Sequence, residues 1–556
     1  MAGFRGTLGT WLGLAASITL AASLARGEDR SQPASPAPIR PSEIDALIAG
    51  DLKANQITPS PMTTDEEFIR RATLDVLGRL PEPGAIREFV ASRRKDKRSI
   101  LIDQLLGQPE YAENWARYWR DVVSYRSPNE VDRQVNYPLL QEWLAGEFAA
   151  NKPWDQIVTA ILTASGRNDE VGAVNFAMAE EGQAVELAGE VSRIFLGIQI
   201  QCAQCHDHPS DPWKREQFHE FAAFFSGVKL RRAGKPQQGL RPVFQIVTKG
   251  PARYAMPDLK DPSKTIPVSP RFFLNDAPKL DEPIPGDRRL DLVAGYVTSP
   301  ENPWFTRAFI NRIWSTLVGE GFYDPVDDLG PTRTASSPEV LDLLSDGWRR
   351  SGLDIKWLFR TILNTDAYQR KSRSTDTAAG RTAFASNCPS RLRADQIFDT
   401  LAHALDLGHE RDQAFPGMVR ARGKAAGKAA RKAQVGEIPR EDRLREQFNK
   451  VFGVDPSTPS DAVLGTIPQA LLLMNGPMIA REIQARPATM LGQLLIAYPD
   501  NRKVLDVLYL RALGRKPSAK EVATCSRYLE GVGDRREAFE DILWALINST
   551  EFLSRR

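Results

Sequence analysis

The stretch Thr64-Asp65-Glu66-Glu67-Phe68-Ile69-Arg70-Arg71-Ala72-Thr73-Leu74-Asp75-Val76-Leu77-Gly78-Arg79-Leu80-Pro81 sets the fold class. Thr64 and Glu67 have the spacing at which a hydroxyl and a carboxylate cap each other's backbone N–H groups at a helix start. Phe68, Ala72, Val76 and Leu77 fall on one face at helical intervals, and Gly78 with Pro81 stops the helix. The same punctuation returns near the other end, where Val507 to Leu513 runs into Leu513-Gly514-Arg515-Lys516-Pro517. Both copies read L-G-R-x-P. Each is followed by an acidic helix (Glu82 to Val90; Ser518 to Leu529), a charged turn, and a helix that closes on Pro109-Glu110-Tyr111 or Thr550-Glu551-Phe552. The order of four elements matches, so the sequence predicts a duplicated helical hairpin near both termini, with those termini packed together. A partial third copy, Trp357 to Tyr368, ends Asn364-Thr365-Asp366-Ala367-Tyr368 much as Asn548-Ser549-Thr550-Glu551-Phe552 does.

Outward from these copies, helical signals fill Ser42 to Phe225. They give way to Pro- and Gly-rich sequence with short apolar runs such as Val243-Phe244-Gln245-Ile246-Val247, and resume at Arg289. The expected architecture is mostly α: two helical domains, 42–230 and 289–556, joined by a β-hairpin and linker at 231–288. Residues 419–443, rich in Lys, Arg, Ala and Gly, read as a solvated basic loop.

At the N-terminus, Arg5, an uncharged apolar run from Leu8 to Leu24 and Ala25-Arg26-Gly27 form a secretory signal over 1–27, followed by a disordered linker at 28–41. The expectation is a periplasmic or extracellular protein that meets a membrane only through an uncleaved signal segment. Net charge is +3, from 73 basic and 70 acidic residues. That near-neutral balance argues against a dedicated nucleic-acid surface. The four cysteines are too few for a disulfide scaffold, yet export exposes thiols to oxidation, so each needs a role. Burial as small hydrophobes suits Cys388 and Cys525.

The concentrated chemistry lies between Cys202 and His219. Gln201-Cys202-Ala203-Gln204-Cys205-His206 contains C-x-x-C-H, the attachment pattern of a c-type haem. One turn separates two thiols that can form thioethers, and the adjacent imidazole of His206 becomes the iron ligand. Three occupancies fit the pattern: haem c on Cys202, Cys205 and His206; zinc or another metal on Cys202 and Cys205 with His206 or His208 and with His219; or no cofactor, with a Cys202–Cys205 disulfide and ordinary histidines. For haem, Met178, Met256, His208 and His219 are candidates for the sixth ligand. A helix from Ala184 to Ile200 is expected to deliver the loop. Trp213, Phe218, Phe221, Phe224 and Phe225 either wall a macrocycle or form core.

Asp324, Asp327 and Asp328 lack calcium-loop spacing. They read as helix caps and loop solvation rather than a calcium or sugar site, with Asn311-Arg312 placed to meet them. Fingerprints of the G-x-S-x-G, H-E-x-x-H, P-loop and G-x-G-x-x-G types are absent. Outside the patch only His403 and His409 remain, which leaves little imidazole for acid–base work.

The run Ile198 to Pro209, with Asp211-Pro212-Trp213 and Phe221-Ala222-Ala223-Phe224-Phe225, resembles the planctomycete cytochrome-like domain of unknown function, and Phe68-Ile69-Arg70-Arg71 through Trp119 resembles its N-terminal part. Asn302 to Phe305, Asn311 to Trp314, Asp327-Asp328-Leu329-Gly330 and Met474-Asn475-Gly476-Pro477 resemble its partner, a planctomycete-specific C-terminal domain of unknown function. The resemblance implies an exported protein whose cytochrome-like label rests on Cys202, Cys205 and His206. Many relatives carry a conventional cytochrome c domain ahead of this one. Here about 14 residues separate Gly27 from Ser42, too few for such a domain. Two function classes follow: a redox or electron-transfer protein with a redox partner, or a non-enzymatic scaffold that binds extracellular polysaccharide or protein and uses the Cys/His patch structurally. A carbohydrate-active enzyme built on Asp324, Asp327 and Asp328 is a third.

Overall fold

The structure, a computed structural model, describes residues 39–127, 134–234, 242–261, 263–274, 277–373, 384–407, 440–459, 463 and 465–555. The signal segment at 1–27, all but the end of the linker at 28–41 and residues 419–439 of the basic loop lie outside the described residues; 440–443 open the helix Arg440–Phe452. Among the described residues no helix is long and apolar enough to cross a membrane.

The protein is mostly α-helical, with short strands. Helix Asp65–Leu77 begins as its sequence dictates: Glu67 N donates to Thr64 Oγ1 at 3.3 Å and Thr64 N donates to Glu67 Oε2 at 2.7 Å. It ends at Gly78, whose φ of +78° is the left-handed conformation that favours glycine. A Cβ there would also stand 2.6 Å from Asn114 Oδ1. In the second copy Gly514, at φ +70°, ends helix Asn501–Leu513 in the same way.

The duplication extends to side-chain contacts. Arg79 pairs with Glu110 at 3.4 Å, and at the equivalent position Arg515 pairs with Glu551 at 2.7 Å. The closing turns also coincide. Thr365 Oγ1 donates to Ile362 O and accepts from Tyr368 N, while Ser549 Oγ donates to Leu546 O and accepts from Phe552 N. Both closing turns then dock on helix Asp65–Leu77 through adjacent arginines. Arg71 donates to the carbonyls of Tyr368 (2.6 Å) and Arg370 (2.8 Å), and Arg70 to those of Glu551 (2.7 Å) and Ser554 (3.3 Å). Helix Asp65–Leu77 is thus tied to Glu551 and Ser554 near the end of the chain, and Ser390–Arg391 pairs antiparallel with Ser554–Arg555.

The expected hairpin is present: Lys229–Arg232 pairs antiparallel with Phe244–Val247, in register Lys229 with Val247, and Gly166–Arg167 adds a third strand. The linker does not divide the core, however. One apolar cluster draws on residues from Ile44 to Ala385, on both sides of 231–288, and a second gathers Leu74, Leu80 and residues from Leu392 to Phe552. Trp119 and Trp154 from the first helical segment pack on Phe309 of the second, with centroids 5.6 and 4.5 Å apart. Arg289, wholly buried, donates to the carbonyls of Ala223 and Ala252 and to Ser226 Oγ, and pairs with Glu282.

Candidate functional site

The C-x-x-C-H turn is held from beneath and open above. Helix Ala184–Val191 passes into a π-helical turn, Ser192–Leu196, and stops at Gly197 (φ +67°). The helix expected to run to Ile200 therefore ends earlier. The reason is a tertiary contact: a Cβ on residue 197 would stand 2.8 Å from Leu329 Cδ1, and Leu329 N donates to Gly197 O at 2.7 Å. Ile198 and Ile200 are buried, and Gln201–Gln204 forms a single 3-10 turn. Within it Ala203 is buried and faces the core, so Cys202 and Cys205, both free thiols, are exposed.

His206 is exposed as well. Its Nδ1 lies 2.7 Å from the Asp207 carbonyl oxygen. A carbonyl only accepts, so Nδ1 carries the proton and Nε2 of the neutral ring keeps its lone pair, the arrangement of a metal-ligating imidazole. Asp207 in turn accepts from Arg215 N (3.0 Å) and Lys214 Nζ (2.9 Å), which hold its carboxyl below the usual range and fasten the loop to helix Arg215–Ala222.

The other two histidines of the patch hold the loop in place. His208 Nδ1 accepts from Asp211 N at 3.0 Å and Ser210 N at 3.4 Å. His219 is buried. Its Nε2 lies 3.0 Å from Gln204 O and its Nδ1 2.7 Å from Tyr254 Oη, so Nε2–H donates to the carbonyl and Nδ1 accepts from the hydroxyl. Burial holds the imidazole pKa below its ordinary value. Both ring nitrogens are engaged, so His219 acts as a strut under Gln204. Among the described residues no group of three or more His, Cys, Asp and Glu is arranged to hold a metal ion. Met178 is buried, and Met256 Sδ accepts from Arg215 Nη1 at 3.5 Å. The aromatic residues that read as a macrocycle wall are core: Phe221 packs on Phe225 and Phe273, and Trp213 lies edge-on to Phe273.

Replacing His219 with Ala is expected to cost about 1–3 kcal/mol, because Gln204 O and Tyr254 Oη each lose a buried partner. The folded pKa is depressed, so this contribution is full above about pH 6.5 and declines as pH falls below it. Urea unfolding at pH 7.5 and pH 5.5 checks both. A variant as stable as wild type at pH 7.5 would remove the strut.

The Asp324 to Asp328 turn also differs from its reading. Asp328 pairs with Arg333 at 3.1 Å near the surface, but Asp327 is 0 % exposed. Its Oδ2 lies 3.0 Å from Arg193, 3.5 Å from Arg126 and 4.0 Å from Arg312, and its Oδ1 accepts from Gln199 Nε2 at 3.0 Å. Burial alone would raise its pKa; Arg312, Arg193 and Arg126 together hold it below the ordinary value. Arg312 does meet the carboxylate, while Asn311 donates to the carbonyls of Tyr323 and Val326. Far from solvating a loop, Asp327 anchors the segment behind Gly197 to the rest of the molecule.

Beside the motif lies a cavity of about 340 Å³ that sequence reasoning passed over, lined by Glu180, Glu181, Glu186, Glu190 and Gln201 among others. The signal was present: Glu186 and Glu190 are like charges one helical turn apart, which a helix avoids without cause.

Residues 43–230 match the PSCyt2 family, described as a protein of unknown function (DUF1549), and residues 288–529 match PSD1, likewise described as a protein of unknown function (DUF1553). The chain thus carries segments that match these two domains of unknown function, in that order. Its PSCyt2 segment holds the whole C-x-x-C-H turn and the acidic cavity's glutamates, and its PSD1 segment supplies Asp327 and Leu329, which brace the PSCyt2 loop from behind. No curated protein and no solved structure matches the chain.

Proposed function

We propose that the chain is an exported protein whose working element is the Cys202-x-x-Cys205-His206 turn, carrying one c-type haem in a redox or electron-transfer role. The observation that carries this reading is the presentation of the turn. Two free thiols stand exposed, Cys202 within the 3-10 turn and Cys205 at its C-terminal cap, next to an exposed imidazole whose Nδ1 is tied to a carbonyl and whose Nε2 is left with its lone pair. Thioether formation needs accessible thiols, and an imidazole that is to hold iron through Nε2 needs that tautomer. Cys202 and Cys205 would hold the macrocycle and His206 Nε2 the iron; when bound, the group supplies one-electron transfer. The chain's own residues keep the platform rigid: buried Ala203 pins the turn, His219 holds Gln204, and Asp207 fixes the peptide that orients His206.

One observation favours a second reading, a scaffold for polysaccharide or protein in which the patch is structural. The aromatic residues downstream are spent on the core, and His208 and His219 brace the loop. The same experiment separates the two. Protein co-expressed in the periplasm with a c-haem maturation system is expected to give pyridine haemochrome bands that are absent from Cys202→Ser/Cys205→Ser and altered in His206→Ala. Soluble wild-type protein without those bands refutes the haem. Stoichiometric zinc in its place would assign the site to metal, and neither would leave the scaffold.

A further inference from the structure

We infer that the cavity framed by Glu180, Glu181, Glu186 and Glu190 is a binding site for an organic cation bearing an alkylammonium or guanidinium group. Four carboxylates line its roughly 340 Å³ against two arginines, and both arginines are already matched. Arg193 pairs with Glu190 at 2.5 Å and with Asp327 at 3.0 Å, and Arg126 with Asp455 at 2.8 Å. Of the carboxylates, Glu190 is taken by Arg193, Glu186 accepts from Gln201 Nε2 at 2.9 Å, and Glu181 accepts from Gln183 Nε2 at 2.8 Å. Glu180 remains. It is 7 % exposed, lines the cavity, and its carboxyl has no hydrogen bond or ion pair among the described residues.

A buried carboxyl without a partner is costly when charged, and the surroundings here are negative. Its pKa is pushed up to about 9, first by burial and then by Glu190 and Glu186, with Glu181 adding and Arg193 opposing. At neutral pH the position is filled by a proton, and a cation can take that proton's place. The carboxylic acid then loses its proton to solvent, and the carboxylate pairs with the ammonium or guanidinium, whose own charge is unchanged.

The kind of cation follows from the lining. Among the described residues no trio of acidic, Cys or His side chains is arranged to hold a metal ion, so a small divalent ion lacks its ligand shell. The lining contains no aromatic ring on which a sugar would stack. An elongated cation, by contrast, can lay its charge on Glu180 and meet Glu186 and Glu181 with further N–H donors. Gln201, the residue before Cys202, forms part of the wall, so an occupant touches the base of the exposed turn.

The test is titration calorimetry of the full chain with agmatine and with a tetralysine peptide, in phosphate and in Tris at pH 7.5. Saturable binding is expected, with an enthalpy that differs between buffers by the ionisation heat of up to one released proton. The affinity should rise with pH between 6 and 8, by up to about tenfold per unit, because the competing proton is being removed. In Glu180→Gln, which keeps the neutral shape of the site and should fold, the proton release should vanish and affinity fall about tenfold or more. Binding of agmatine alone assigns a free small cation, and binding of tetralysine with the same dependence assigns a protein side chain; either supports the site. No saturable heat with either probe, an unchanged affinity and proton release in Glu180→Gln, or heat with calcium chloride only would overturn it.

Discussion

Replacing Asp327 with Ala should lower the unfolding free energy by about 3–5 kcal/mol, the scale for removing one partner of a buried ion pair. Arg193 and Arg312 are both buried, and with Asp327 gone Arg312 loses its carboxylate partner while Arg193 keeps one carboxylate, Glu190, of its two. Gln199 and the loop that follows Gly197 lose their tether as well. Asp328→Ala is the control: its partner Arg333 is partly exposed, so the loss should stay under about 1 kcal/mol. The pH dependence has a definite sign. Asp327 titrates below its ordinary value in the folded protein, so its contribution is fully present above the unfolded carboxylate value of about 3.9 and is lost as pH falls through the lower folded value. Urea unfolding curves of wild type and Asp327→Ala should therefore differ at pH 7 and converge in acid. Equal losses for Asp327→Ala and Asp328→Ala at pH 7 would sink the account. The buried position also removes Asp327 from the carbohydrate-enzyme reading, since an arginine cage is closed to substrate.

Much of the helical architecture was written in local chemistry. The capping pair Thr64 and Glu67, the stops at Gly78 and Gly514, and the order of elements after each L-G-R-x-P depend on neighbours within a few residues, which a linear reading can see. It could not see how the copies meet. Arg70 and Arg71 look like polar residues of an amphipathic helix, yet both are buried because they reach carbonyls some 300 and 480 positions away. The shared core across 231–288 escaped for the same reason: periodicity shows that Phe309 faces inward but not that Trp119 and Trp154 are what it faces. The π turn at Ser192–Leu196 is likewise set from outside, by Leu329 against Gly197.

At the site, spacing marked Cys202, Cys205 and His206, and the fold presents those three together at the surface. Spacing did not separate them from His208, whose Nδ1 accepts from backbone N–H groups, or from His219, both of whose ring nitrogens have partners that no motif encodes, such as Tyr254. The Asp327 ion pairs and the unpartnered carboxyl of Glu180 depend on burial, which the polar composition of both segments hid.

The second large effect is expected at Arg555→Ala, close to the end of the chain. Arg555 is buried, and its guanidinium donates to Asp75 Oδ2 (3.1 Å), to the carbonyls of Thr316 (3.0 Å), Leu317 and Cys388 (3.2 Å), and to Asn387 Oδ1 (2.8 Å). It therefore joins the first capped helix, the helix Pro303–Val318 and the final strand in one cluster, where Tyr368 Oη also donates to Asp75 at 2.8 Å. Removing it leaves Asp75 without its nearest opposite charge and several carbonyls without a donor, a loss of about 3–5 kcal/mol at neutral pH. Burial already raises the Asp75 pKa against the pull of Arg555, Tyr368 and Arg71. Without Arg555 the carboxyl should hold its proton more firmly still. A folded pKa above the unfolded one contributes stability that is full below about pH 3.9 and is lost as pH rises through the folded value, so the deficit of the variant should grow from pH 5 to pH 8. Arg555→Lys, which restores a charge without the planar fork, should recover only part of it. Urea unfolding of the three proteins at both pH values decides the matter: a deficit in Arg555→Ala that is the same at pH 5 and pH 8 would show that Asp75 is not the group left stranded, and one below 1 kcal/mol would show that the cluster does not tie the two ends of the fold together.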